Sequence, residues 1–247
     1  MNKRLFIFPL LAVVIVASSI LAYWYYFSKP TEFPKSDQLL GKIHRVFPEA
    51  SPKVIQDSIA IDERHRFVPF ISKEGKYGVS YWQWENHKWK VVSIETTGDV
   101  HVWKIDNNDP STFSLLWNFH PDDQVNQLKF YMIRDRSYHG ANRQLWYEPR
   151  IQMEKKVEQK KSYGVLKMPA EWASSMSSFS QAGPMEQTGL FSNGILFNAG
   201  MYFGYIPYDQ SGKVARTMNS ANGSGFQNGN FNQEYVRQLS EPEIEKQ

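Results

Sequence analysis

The chain has no cysteine, which excludes thiol catalysis, thiolate metal sites and disulfide staples. It also lacks a strong charge of either sign. Its 28 basic and 25 acidic side chains leave a net +3, and Lys3 and Arg4 supply two of those charges before the first acid, so the remainder carries +1. A body this near neutrality does not bind polyanions as a whole. Familiar catalytic signatures are missing too: there is no GxSxG, HExxH, Walker loop, GxGxxG or EF-hand loop. Asp106-Asn107-Asn108-Asp109-Pro110 is rich in oxygen ligands but lacks the glycine and distal glutamate of a calcium loop, and reads as an Asx turn before proline. Histidines stand at 44, 65, 87, 101, 120 and 139, never three or four apart, so no helix or local loop supplies a metal pair. Neither a cofactor nor a metal site is expected.

Long apolar runs are absent with one exception. Leu5 to Phe27, LFIFPLLAVVIVASSILAYWYYF, holds 23 residues without a charge. As a helix it would span about 34 Å, enough for a hydrocarbon core of roughly 30 Å. Lys3 and Arg4 on its N-terminal side predict a cytoplasmic N-terminus and a body on the far side of the membrane. Tyr23, Trp24, Tyr25 and Tyr26 form an aromatic belt at the outer end. A cleaved signal peptide is the rival reading, but its apolar region would be only ~7–15 residues with a small-x-small exit. Here the best exits, near Ala17 or Ala22, lie inside the run or beside bulky aromatics. The expectation is an uncleaved single-pass anchor that meets the lipid bilayer through residues 5–27 of the cell membrane.

Residues 1–28 then form a cytoplasmic stub and anchor, and 29–36, with Pro30 and Pro34, a stiff stalk. Residues 37–210 form the extracytoplasmic domain. Ser36-Asp37 offers a cap for a helix carrying Leu39, Leu40, Ile43, Val46 and Phe47, stopped by Pro48. Ser51-Pro52 predicts a second helix with Val54, Ile55, Ile59 and Ile61 as its stripe. From Phe67 the pattern becomes short apolar runs between turn signals such as Glu74-Gly75, Asn86-His87 and Thr97-Gly98, which suits an antiparallel meander. Met153–Lys161 reads as a solvated loop or helix face, Tyr163–Met168 as a further strand, and Ser174–Gly200 carries no assignable pattern. Residues 211–247, rich in Gly, Asn and Ser, read as a disordered tail. The fold class is therefore α+β: two short helices, then a multi-strand β-meander forming a cone-like sheet, with a small β-barrel as the alternative.

Two features suggest contact surfaces. In YWQWENHKWK, a two-residue loop at Asn86-His87 sets Glu85 opposite Lys88, Trp84 opposite Trp89 and Trp82 opposite Val91. Trp82, Trp84 and Trp89 then share one face, and Val79, Tyr81, Val92 and Ile94 the other. Core packing accounts for such a face, and a stacking platform for sugars or peptides is the functional reading. Residues 129–161 hold nine basic and four acidic side chains. There Arg134, Arg136, Arg143 and Arg150, interleaved with tyrosines, suit an anionic envelope polymer. Nucleic acid is not an expected partner, because this segment lies outside the cytoplasm. The function expected is a non-catalytic binding or accessory module at the cell envelope, contacting such a polymer or another membrane protein. The alternative is an envelope hydrolase or transferase using His65, His120 or His139 with a distant carboxylate.

Overall fold

The structure, a computed structural model, describes residues 11–19, 23, 28–141, 144–182, 201–229 and 231–245. Of the apolar run 5–27, residues 11–19 and 23 are helical, and the rest of that expected span lies outside the described residues. Among the described residues no helix is long and apolar enough to cross a membrane.

The body is a stack of sheets whose strands pair antiparallel except at one C-terminal edge. Helix α1 (Ser36–Val46) turns Leu39 and Ile43 onto the first sheet. Lys35 occupies its cap position, one residue before the serine expected there. The second expected helix does not form. Pro52–Ile55 is strand β1 and Ile59–Ala60 is β2, both paired with β3 (His65–Ser72). Ser51 turns the chain with a left-handed φ of 41°, and proline is tolerated as the first residue of an edge strand. The β-branched run then gains more from the open edge of β3 than from helical spacing alone.

The first sheet continues through β4 (Tyr77–Glu85), β5 (Lys88–Glu95) and β14 (Gly225–Gln227). The β4–β5 hairpin has the expected register, with Asn86 and His87 both at positive φ, as a type I′ turn requires. Lys90 rather than Lys88 pairs with Glu85, at 2.6 Å. A bulge beside Val92 reverses the alternation, so Ile94 joins the tryptophan face instead of the opposite one.

The second sheet is ordered β12 (Tyr163–Lys167), β7 (Phe113–Asn118), β6 (His101–Lys104), β15 (Gln233–Tyr235). The third is β11 (Ile151–Glu158), β8 (Gln127–Arg134), β13 (Met201–Tyr208), β16 (Arg237–Gln238). Along β7, Leu116 packs toward the first sheet, whereas Leu115 and Trp117 meet Phe130, Tyr205 and Trp172 of helix α2 (Ala170–Ala182). The second sheet is thus a middle layer, apolar on both faces. Met153–Lys161, expected as a loop or helix face, is mostly the edge strand β11, whose lysines and glutamates discourage further pairing. No sheet closes into a barrel among the described residues, and several stacked sheets replace the single cone.

The largest correction concerns the C-terminal segment, which is folded. It adds one strand to each of the three stacked sheets: β14 pairs with β5, β15 with β6, and β16 with β13. Phe231 and Val236, between those strands, and Leu239, just after β16, are buried anchors. The glycines that resemble disorder serve close approach instead. A Cβ on Gly223 would lie 2.4 Å from the Thr96 hydroxyl, and one on Gly225 would lie 2.3 Å from a Glu95 carboxylate oxygen. Residues 29–36 are also not a free stalk. The Trp89 indole donates to the Thr31 carbonyl at 3.0 Å, and the Phe33 ring meets Trp89 and Trp82 edge-on at 4.9 and 5.5 Å.

If the C-terminal segment is integral to the core, Leu239→Ala leaves a cavity and costs about 2–5 kcal/mol. Urea unfolding followed by tryptophan fluorescence checks this, and a loss well under 1 kcal/mol would place the segment outside the cooperative unit.

Candidate functional site

The three tryptophans are core residues. Trp82, Trp84 and Trp89 are 0%, 3% and 6% exposed, and pack with Val68, Phe70 and Leu39. Trp84 and Trp89 meet edge to face at 5.6 Å across the non-hydrogen-bonded site of the hairpin. Helix α1 and Phe33 cover them, so no flat face is left for a ligand.

The arginines are occupied within the protein. Arg134 lies 4.2 Å over the Phe179 ring and 3.8 Å from Glu148. Arg150 pairs with Asp135 at 2.7 Å and donates to the Glu243 carbonyl at 2.7 Å. Arg136 pairs with Glu245, and Arg143 lies outside the described residues. Acids from the C-terminal segment thus neutralise part of the basic segment, which local charge counting does not register.

Between Arg136 and Pro149, however, the chain forms a separate two-stranded sheet, β9 (Ser137–Ala141) and β10 (Gln144–Glu148). Asp135-Arg136 and Pro149-Arg150 interrupt the β8–β11 ladder, and the hairpin continues beyond it for five residues, about 16 Å. Tyr138 and Tyr147 are cross-strand partners on this arm. Their rings meet at 5.0 Å, and the residues are 72% and 54% exposed. Large aromatic rings exposed side by side mark a contact surface more readily than buried ones.

The histidines divide. His65 Nδ1 lies 2.8 Å from an Asp62 carboxylate oxygen, and its ring sits edge-on to Trp103 at 5.3 Å. A carboxylate is therefore in reach, but an open groove of about 490 Å³ runs past the other face of this strand, lined by Phe33, Asp57 and Arg66. His120 caps a 3₁₀ turn by accepting from the Asp122 amide at 3.2 Å. For His139 only the backbone, in β9, is described.

The groups whose chemistry the fold perturbs most are others. Asp99, 2% exposed, accepts from the Tyr205 hydroxyl at 2.6 Å and from the Tyr235 hydroxyl at 3.0 Å. Burial raises its carboxyl above the usual range, and burial beside it pushes the Tyr235 phenol up to about 12. His101 Nδ1–H donates to the Asp99 carbonyl at 3.1 Å, while desolvation lowers the imidazole to about 4, so it stays neutral. Asp123 accepts from Ser220 at 2.5 Å and from the Asn219 side chain at 2.8 Å. Burial lifts Glu95 to about 7, against the opposing hydrogen bond of Gln233. Each of these acids grips a residue of segment 217–235, or lies beside one. Enclosed and turned inward, they act as clamps on that segment. No His/Asp/Glu cluster fit to hold a metal ion occurs among the described residues.

Sequence reasoning missed all of them. Asp99 meets Tyr205 across 106 positions, so no spacing shows the pair. The one local hint is a polar residue inside an apolar run, as in DVHVW at 99–103 and SIET at 93–96. No protein-family model matches the sequence, no curated protein matches it, and no solved structure matches the fold.

Glu95 makes stability depend on pH. The unfolded carboxyl loses its proton near pH ~4.3, whereas the folded one keeps it to about 7, so stability falls as pH rises across that window. His101 contributes the opposite slope below about pH 6.5, because the folded imidazole resists protonation that the unfolded one accepts. Glu95→Gln removes only the first effect. The variant is expected to be more stable than the parent at about pH 8 and to converge with it near pH 5 in urea titrations. A gap that widens toward acid would reverse the assignment.

Proposed function

We propose that this chain is a membrane-tethered, non-catalytic binding or accessory module whose folded body lies on the far side of the membrane from its N-terminus. The uncharged run 5–27 behind Lys3 and Arg4 supports the tether and its direction. The contact surface is the β9–β10 arm, and the observation that carries this is the exposed Tyr138–Tyr147 pair standing beyond the stacked sheets. Paired phenol rings suit the flat faces of sugar rings. Arg136, 56% exposed beside its Glu245 partner, adds a guanidinium for an acidic group. The partner this chemistry fits is an anionic, sugar-containing polymer of the envelope. Another membrane protein is the second candidate.

The interior clamps argue for a passive role. Asp99 and Asp123 spend hydrogen bonds on Tyr235, Asn219 and Ser220 of the protein's own C-terminal segment, and His101 donates to the Asp99 carbonyl. Among the described residues His65 pairs with Asp62 at 2.8 Å and His120 lies 3.6 Å from Asp122, both beside turns.

Two measurements test the proposal. The full chain is expected to float with phospholipid vesicles in a density gradient, and a chain that stays in the soluble fraction removes the tether. In a polymer co-sedimentation assay, Tyr138→Ser with Tyr147→Ser is expected to weaken retention at least about tenfold, the equivalent of roughly 1.4 kcal/mol. Thermal stability should barely change, because both rings are exposed. Equal retention by parent and variant would discard the arm.

A further inference from the structure

A tether normally lets a domain drift from the membrane by the length of its linker. Eight residues, 28–35, separate the apolar run from α1, and fully extended they would reach about 26–29 Å. Here they have no such freedom. The Ser28 hydroxyl lies 3.1 Å from His87 Nδ1, at the tip of the β4–β5 hairpin. Arg64, beside the β2–β3 turn, donates to the Ser28 carbonyl at 2.9 Å. Further along, Trp89 holds the Thr31 carbonyl, and Phe33 sits edge-on to two indoles with the Arg66 guanidinium 5.3 Å over its ring. The linker is a strap that starts at one end of the first sheet and is pinned along it.

Phe27 is one peptide, about 3.8 Å between Cα atoms, from Ser28. The polar interface on each side of a hydrocarbon core is only about 5–8 Å deep. We propose that the end of the body formed by the Asn86–Lys88 and Asp62–Arg64 turns is seated in the lipid headgroup layer; this rests on the tether proposed above. Charge does not set the contact. Lys29, Arg64, Lys88 and Lys90 face Asp62, Glu63 and Glu85 at that end, with Glu85 bonded to Lys90 and Asp62 to His65. The strap imposes it, as a local concentration that needs no anionic lipid. At the opposite end of the sheet, the β3–β4 turn at Lys73–Lys76 stands off by the length of β4, nine residues or about 30 Å.

Because the chain has no cysteine, single labels can be placed without background. Lys88→Cys and Lys73→Cys, both exposed positions, carry an environment-sensitive fluorophore on the full chain in vesicles of uncharged phosphatidylcholine doped with headgroup-nitroxide lipid. Quenching at 88 is expected to exceed that at 73 severalfold. It should persist from roughly 0.1 M to 1 M salt, where the screening length falls from about 10 to 3 Å. Phe33→Ala, which removes the ring pinning the strap, is expected to erase much of the difference while flotation persists. Equal quenching at the two sites in chains that float overturns the seating and leaves the tether standing. Contact that vanishes in high salt overturns the strap as its cause. Chains that fail to float overturn the tether, and the seating with it.

Discussion

Strands β14, β15 and β16 lie within fourteen residues of one another, yet each closes the edge of a different sheet. An open edge presents unpaired amides and carbonyls, and three such edges in one body would be unstable and adhesive. Everything else in the stack presupposes that these are covered. The buried acids make sense in that light. Asp99 holds the phenols of Tyr205 and Tyr235, Asp123 holds Asn219 and Ser220, and Glu95 sits against Gly225. Burying a carboxyl is costly unless it is hydrogen-bonded, and these spend that cost at the places where a segment with few apolar residues must be held. Phe231, Val236 and Leu239 add the apolar contribution.

Much of the central hairpin was legible because its information is local. Alternation, two bulky pairs and a two-residue loop determine which side chains face each other, and Trp84 opposite Trp89 followed directly. The α1 helix and the strands between Phe67 and Arg134 are legible for the same reason: each carries its own periodicity. Failures fall where a distant partner decides. The residues after Pro52 have apolar spacing that suits a helix, and the edge of β3 makes them strands. The Gly/Asn-rich tract after Ser220 has the composition of disorder, and the Thr96 and Thr97 side chains packed against Gly223 are what favour glycine there.

The contact surfaces show the same division. Crowded indoles announce either a core or a platform, and only the positions of α1 and Phe33 decide for the core. A basic stretch announces a field, but Asp135, Glu148 and Glu245 answer three of its arginines, one of them from 109 residues away. What survives on the outside is aromatic rather than cationic. Tyr138 and Tyr147 are uncovered because Pro149 and its neighbours break the ladder and carry the arm past the sheet.

The order in which the strands arrive matters for how the body is made. Most of β5, β6 and β13 is in place long before residues 225–238 exist, so the growing chain carries three unfinished borders through synthesis at ~5–20 residues per second. Contacts that join positions more than a hundred residues apart are slow to form and cannot form piecemeal. The body thus stays unsealed at these three borders for most of its synthesis, and only its final strands close them. Anything that guards nascent chains would find this one a long-lived client.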